Sequence, residues 1–447
     1  MEQSRREFVK QAASIGAPVI IQSVLSSMVN MLNVFMIGQL GEVAITSAAM
    51  GNQWFQLFML LINGITAAGS IFIAQYWGRK DTRSIHQYMG ILLYSTLALA
   101  IIFMSVSLIM PKTIIGFYSR DAAVIKEGST YIQIISVTYI MCALNGTLVA
   151  SLRSVGRTKL PMIATAVSLL ISFILNYSLI LGKFGFPQLG VQGAAIAIVI
   201  ARVVEISITA GYTFIKKPPI LGKLKNYLII ESKVIRKYIT YGSFVILGEV
   251  AYAIGNNLYN VAYKYTGTES QAALQIVSTF QSLSLVFCGG LGTAAAVMLG
   301  TLLGRNQFEE AKKCCKRLLI LSVIISVAVS FILILFSSKL QGLFHISLTA
   351  QGYISIMIRI LACAIPLRML VFLIIVGILR SGGDSVYCFF ANLIGVWCIG
   401  IPLVFMAVMY FKWPIYIVYI MATAEELGKF LICFPRVIKY KWIQNLT

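Results

Sequence analysis

One carboxylate in this sequence is set apart by its surroundings. Glu249 lies well inside an apolar run, with no lysine or arginine within a helical turn of it. A lone carboxylate in such surroundings holds a proton more tightly than it would in water. It can therefore take a proton on one side of a barrier and release it on the other. Ionised, it can instead hold a sodium ion or an organic cation. The alternative is a structural carboxylate paired with a distant arginine. Carboxylates inside a membrane usually mark ion or substrate pathways, so Glu249 is expected to carry a coupling ion.

Polar residues recur around it with helical spacing. Gln22, Ser26, Asn30 and Asn33 fall at steps of four, four and three, which puts them on one face of a helix. Tyr252, Asn256, Tyr259 and Asn260 follow Glu249 with a similar period. Unpaired amides are costly in lipid, so both stripes should face protein or water. Either they bond neighbouring helices, at about 0.6 kcal/mol per contact, or they line a shared cleft. The rings of Tyr139, Tyr252 and Tyr259 suit an organic cation, at about 0.5–2 kcal/mol each, with core packing as the other role for any of them.

The remaining intramembrane charges are Arg202 with Glu205, Glu425 with Lys429, Glu426, Arg359 and Arg368. The first two sets are three and four residues apart and can neutralise themselves along a helix. Glu426 has no obvious local partner. Arg368, two residues after Pro366, is expected to approach Glu249 or the substrate path, with Pro366 marking a bend. Enzyme chemistry is not expected. His86 and His345 are far apart, the eight cysteines form no CxxC, and neither a nucleophile motif nor a phosphate loop occurs. No cofactor is implied.

These groups must be positioned by membrane-spanning elements. Hydrophobic residues make up 59% of the 447 positions and charged ones 11%, against about 25% charged in soluble proteins. The net charge of +21 belongs to loops flanking apolar runs, so it speaks for cytoplasmic anchoring rather than nucleic acid. Runs long enough to span lipid as helices lie at about 11–37, 45–76, 88–110, 128–151, 161–181, 190–215, 238–263, 270–303, 318–340, 350–379, 385–408 and 414–436. The expected fold is an all-α membrane protein of twelve transmembrane helices. With the N-terminus inside, twenty-five lysines and arginines fall in inner segments and seven in outer ones, which predicts cytoplasmic termini in a cell membrane.

The chain also repeats itself. An offset of 226 aligns Gly16 with Gly242, Asn30 with Asn256, Gly41 with Gly267, Gly64 with Gly290, and Gly78-Arg79 with Gly304-Arg305. One residue further, Leu152-Arg153-Ser154-x-Gly156 aligns with Leu379-Arg380-Ser381-x-Gly383. Six spans per half make the repeats parallel, with a site expected between them. The predicted organisation is an N-lobe at 1–215, a basic linker at 216–237 and a C-lobe at 238–447.

The segments NMLNVFMIGQLGEVAI and GSIFIAQYWGRKD resemble the first two spans of the multidrug and toxic compound extrusion (MATE) family. GEVAYAIGN resembles its seventh span, IVGILRSGGDS the exit of its tenth, and EELGKF with KWIQNLT the tail of a prokaryotic branch. The resemblance covers nearly the whole chain. It implies two six-helix lobes, alternating access, and export of organic, mainly cationic, compounds coupled to inward protons or sodium. It also places Glu249 at the C-lobe carboxylate implicated in coupling. Asn33 stands where the family usually has aspartate, and Pro366 to Met369 lack the carboxylate that some members carry, so coupling concentrates on Glu249. The rivals are a lipid-linked precursor flippase of the wider superfamily and an integral-membrane enzyme.

Overall fold

The computed structural model describes residues 5–341 and 348–447; His345 lies outside the described residues. Every apolar run falls on helix, and no strand occurs among the described residues. The order is α1 (Arg5–Gly38), α2 (Glu42–Arg79), α3 (Thr82–Ile109), α4 (Pro111–Tyr118), α5 (Ala122–Ile135), α6 (Thr138–Ser154), α7 (Lys159–Leu181) and α8 (Gly190–Lys216). It continues with α9 (Leu224–Leu228), α10 (Ser232–Tyr263), α11 (Thr268–Gly304), α12 (Phe308–Gln341), α13 (Leu348–Phe372), α14 (Ser385–Leu393), α15 (Ile401–Phe405) and α16 (Ile415–Ile438).

Ten of the described helical stretches are long and apolar enough to cross a membrane, or eleven when α5 and α6, bent by 46° at their junction, count as one. The twelfth run lies on α16, which is 24 residues long and carries Glu425, Glu426 and Lys429 in its middle. Lipid-facing character is plain on α12, where Ile320, Ile324, Val327 and Phe331 are all exposed. Such a stripe needs an apolar solvent.

Local chemistry sets the ends. The Asp81 carboxylate accepts from the Ser84 backbone N–H at the start of α3, and Asp121 accepts from that of Ala123 at the start of α5, satisfying N–H groups that a helix leaves open. The duplication is written in the backbone too. Gly41 and Gly267 both have positive φ (104° and 91°), as do Gly156 and Gly383 (79° and 80°) and even Lys80 and Asn306 (62° and 60°). Left-handed turns at matching offsets are not what chance matching of glycines would give, because side-chain-bearing residues rarely adopt them.

The helices gather into two compact units. The first holds residues 17–73 and 81–238; the second holds residues up to Gly16, 74–80 and 239–447. The start of α1 and the last turns of α2 thus pack with the second unit, where Phe8, Ala12 and Ile15 join a core with Leu291, Ala294 and Leu318. Within that unit α2 crosses α11 at a contact that obeys the 226-residue offset. A Cβ on Gly78 would strike the Thr301 carbonyl oxygen, and one on Gly304 would strike that of Gln75. Gln75 and Thr301 are themselves equivalents, as are Ala74 and Gly300, which meet each other: a Cβ on Gly300 would lie 2.8 Å from that of Ala74. Only glycine permits two backbones to approach this closely.

The end of the chain fastens the same region. Trp442 is fully buried and Leu446 nearly so. The Gln75 side chain donates to the Ser381 carbonyl (2.6 Å) and accepts from the Leu446 N–H (2.7 Å), while Asn445 donates to Asn306 (2.5 Å). Arg436 forks onto Asp384, with Nη2 2.9 Å from Oδ1. Truncating a buried tryptophan costs about 3–5 kcal/mol. Trp442→Ala is therefore expected to lower the unfolding temperature in detergent well below wild type, while Tyr440→Ala, which removes an exposed ring, changes it little.

Candidate functional site

Each unit contains a cavity built from its own residues. In the first unit a cavity of about 410 Å³ is lined by Ser26, Asn30 and Asn33 from α1, with Thr165, Asn176 and Glu205 among the groups opposite. A continuous chain of hydrogen bonds runs into its wall: Thr165, Glu205 and Arg202 line the cavity, while Arg153 and Gln22, the latter expected there, do not. Arg153 donates to Gln22 (2.5 Å), Gln22 to Thr165 (2.7 Å), and Thr165 to Glu205 (2.7 Å). Arg202 closes the chain on the other Glu205 oxygen at 2.7 Å. Asn176 donates to Asn33 at 2.7 Å. The spacing of Arg202 and Glu205 had suggested that they pair, and they do. Glu205 also terminates the chain that begins at Arg153, which helix periodicity does not reveal.

Removing that charge has a defined cost. Hydrogen bonds to a charged group contribute about 1.5–3 kcal/mol, and Arg202 is partly exposed in the cavity wall. Glu205→Gln is expected to cost about that range in stability, read as a lower unfolding temperature. An unchanged temperature would mean that the chain of bonds contributes nothing.

In the second unit a cavity of about 180 Å³ is lined by Glu249, Tyr252, Arg368, Arg380, Glu426 and Lys429, with an apolar wall that includes Val371 and Phe372. Glu249 is not isolated. Arg380 Nη1 lies 2.8 Å from its Oε1, the arginine side chain 8% exposed and the glutamate side chain 32%. Arg368, expected to approach Glu249 or the substrate path, lines the same cavity and binds Glu426 at 3.2 Å. Lys429 binds Glu425 at 3.2 Å, and the Tyr259 hydroxyl donates to Glu425 at 2.6 Å.

The sequence placed Arg380 in an inner loop. It instead follows a stretch of widened, i→i+5 turns at Leu373–Leu379 and opens a tight turn at Arg380–Gly382 that Gly383 terminates. Widened turns of this kind are frequent at functional sites. A signal for the pairing was present in the duplication. Gln22 and Glu249 are separated by 227 residues, as are Arg153 and Arg380. The same arginine therefore reaches the same helix in both halves, onto an amide in one and a carboxylate in the other.

The three tyrosines have other occupations. Tyr139 is fully buried against Phe55, Phe58 and Phe103 and does not line the first-unit cavity. Tyr259 is buried on Glu425. Tyr252 does line the second cavity, but its ring already faces Lys429, 5.2 Å from the centroid. Asn256 and Asn260 are exposed and line neither cavity.

Comparison with known proteins agrees with this architecture. The MatE family model matches the chain twice, over residues 18–178 and 245–406. The chain is 22% identical over 432 residues to the uncharacterized transporter YisQ of Bacillus subtilis, covering 97% of this chain and 94% of that protein. It is 22% identical over 414 residues to the probable multidrug resistance protein NorM of Thermotoga maritima, covering 91% and 87%. Among solved structures, a MATE protein in a bent conformation superimposes with a TM-score of 0.88 at 16% identity, covering 98% of this chain and 96% of that one.

Proposed function

The chain belongs to the MatE family, and on that premise we propose that it is a secondary active exporter of small organic compounds bearing a cationic group, driven by inward movement of an ion through Glu249. The observation that carries this reading is the Glu249–Arg380 pair in its cavity, set against the amide pair Gln22–Arg153 at the duplicated position. One half holds a neutral version of the contact and the other an ionisable one.

A proton that reaches Glu249 cancels its charge and loosens Arg380. A substrate ammonium needs the ionised carboxylate, so proton and substrate compete for one group. Competition of this kind is the condition for exchange under alternating access. A proton asks for a single carboxylate. A sodium ion asks for several converging oxygens, as hard cations do, and both carboxylates of this cavity already face a guanidinium. The proton is therefore the ion we favour. Swapping one proton for one singly charged ammonium at this carboxylate moves no net charge, so the pH gradient drives the exchange, at about tenfold in concentration per pH unit.

A lipid-linked precursor flippase would call for free cations in the cleft, whereas Arg368, Arg380 and Lys429 each have a carboxylate partner. The excess of lysine and arginine in alternate loops supports a plasma-membrane location with both termini cytoplasmic. In proteoliposomes loaded with organic ammonium compounds of graded size, an inward proton gradient is expected to speed the loss of at least one of them tenfold or more. A sodium gradient imposed alone serves as the second arm. Loss rates indifferent to both gradients would sink the exporter reading.

A further inference from the structure

We propose that the second-unit cavity takes a zwitterion, a small compound carrying an ammonium and a carboxylate on neighbouring carbons beside an apolar side chain, as an apolar α-amino acid does. The proposal rests on the exporter reading above and deepens it by naming the substrate class.

The charges around this cavity balance among the described residues: Arg368, Arg380 and Lys429 stand against Glu249, Glu425 and Glu426, each joined in a one-to-one pair. A ligand must enter without stranding one member of a pair, since an uncompensated charge in a low-dielectric site is strongly unfavourable. A simple cation that takes Glu249 leaves Arg380 alone. A simple anion that takes Arg380 leaves Glu249 alone. A zwitterion inserted into the 2.8 Å Glu249–Arg380 pair gives its ammonium to the first and its carboxylate to the second, and strands neither.

The unused hydrogen-bonding capacity points the same way. Arg380 Nε and Arg368 Nη1 are buried without a partner among the described residues, and both belong to side chains that line the cavity. Buried guanidinium N–H groups ask for an oxygen acceptor, and a carboxylate is the acceptor that suits a guanidinium fork. The ligand's body is also specified. A volume of about 180 Å³ is roughly six water molecules' share of liquid at ~30 Å³ each, the scale of a small amino acid. Leu285, Val371, Phe372, Ile375 and Val376 supply an apolar wall. An ammonium on Glu249 still competes with the coupling proton, so exchange is preserved.

The test compares three probes on the purified full-length chain in detergent: valine, isobutylamine and 3-methylbutanoate. They share one branched apolar chain, and the last two each lack one of valine's charges. Binding measured by titration calorimetry is expected to favour valine at least tenfold over either relative. In Arg380→Gln valine should lose at least tenfold while isobutylamine gains, because its contact with Glu249 no longer strands a guanidinium, and in Glu249→Gln valine should lose while 3-methylbutanoate gains for the matching reason. Equal binding of the amine or of the acid, or binding of none of the three, overturns the proposal. The wild-type comparison stands even where a variant fails to fold. Because no gradient is involved, gradient-driven export without valine preference defeats the zwitterion alone, and valine preference without gradient-driven export defeats the exporter reading alone.

Discussion

Glu249→Gln is expected to lower ion-gradient-driven efflux at least a hundredfold while leaving the fold intact. Glutamine has the shape of glutamate, and its carbonyl oxygen can still accept from Arg380, which lies 2.8 Å from Oε1 in the wild type. The protein already contains this arrangement, since Arg153 donates to the amide of Gln22 at the duplicated position. What the amide cannot do is bind a proton or give full charge to an ammonium. Removing one member of a fully buried ion pair costs about 3–5 kcal/mol, but Glu249 is about a third exposed, so the loss of stability should fall well below that range. The measurement is paired: efflux from proteoliposomes with and without an imposed gradient, and unfolding temperature in detergent. Coupled efflux at the wild-type rate in a folded variant would remove Glu249 from the mechanism.

Gly304→Leu is the second large effect. A side chain there must displace the backbone carbonyl of Gln75, and no rotamer relieves a clash with backbone. Overfilling a packed contact costs about 1–3 kcal/mol, occasionally more, and the strain falls on the ends of α2 and α11. We expect hydrogen exchange of the amides at 74–80 and 300–306 to accelerate at least tenfold and efflux to fall by a similar factor. Gly78→Leu should match it, because Gly78 meets Thr301 as Gly304 meets Gln75. Gly211→Leu, which introduces a side chain where no neighbouring atom lies within 4 Å, is the control. Widely different behaviour of the two variants would contradict the symmetry of the crossing.

The spans were legible because lipid leaves the chain little choice. Every backbone group must bond within its own helix, so long apolar runs become helices. Pairs close in sequence were legible for a similar reason: Arg202–Glu205 and Glu425–Lys429 are set by helical spacing alone and form as that spacing predicts. Partners brought from other elements were not. The widened turns at Leu373–Leu379 hold an extra residue per turn, which rotates everything after them by roughly 100° relative to a regular helix. Arg380 reads as a loop residue because the apolar run ends at Leu379, and it pairs with Glu249 in fact. Tyr139 was left between two roles because an aromatic on a polar-looking helix fits a cavity or a core equally well, and the cluster with Phe55, Phe58 and Phe103 speaks for the core. The tail was opaque for another reason. One tryptophan among polar residues gives no period, yet Trp442 is buried where Gly382 leaves room for its backbone.

The rivalry of proton and substrate for a single carboxyl group can be observed without any membrane. Equilibrium binding of a labelled organic ammonium compound to the purified protein should be recorded across pH, and again with sodium added. In wild type the apparent Kd is predicted to climb towards tenfold per unit fall in pH on the acidic side, and in Glu249→Gln to stay flat. A wild-type Kd indifferent to both ions, or an identical pH dependence in the glutamine variant, would contradict the account.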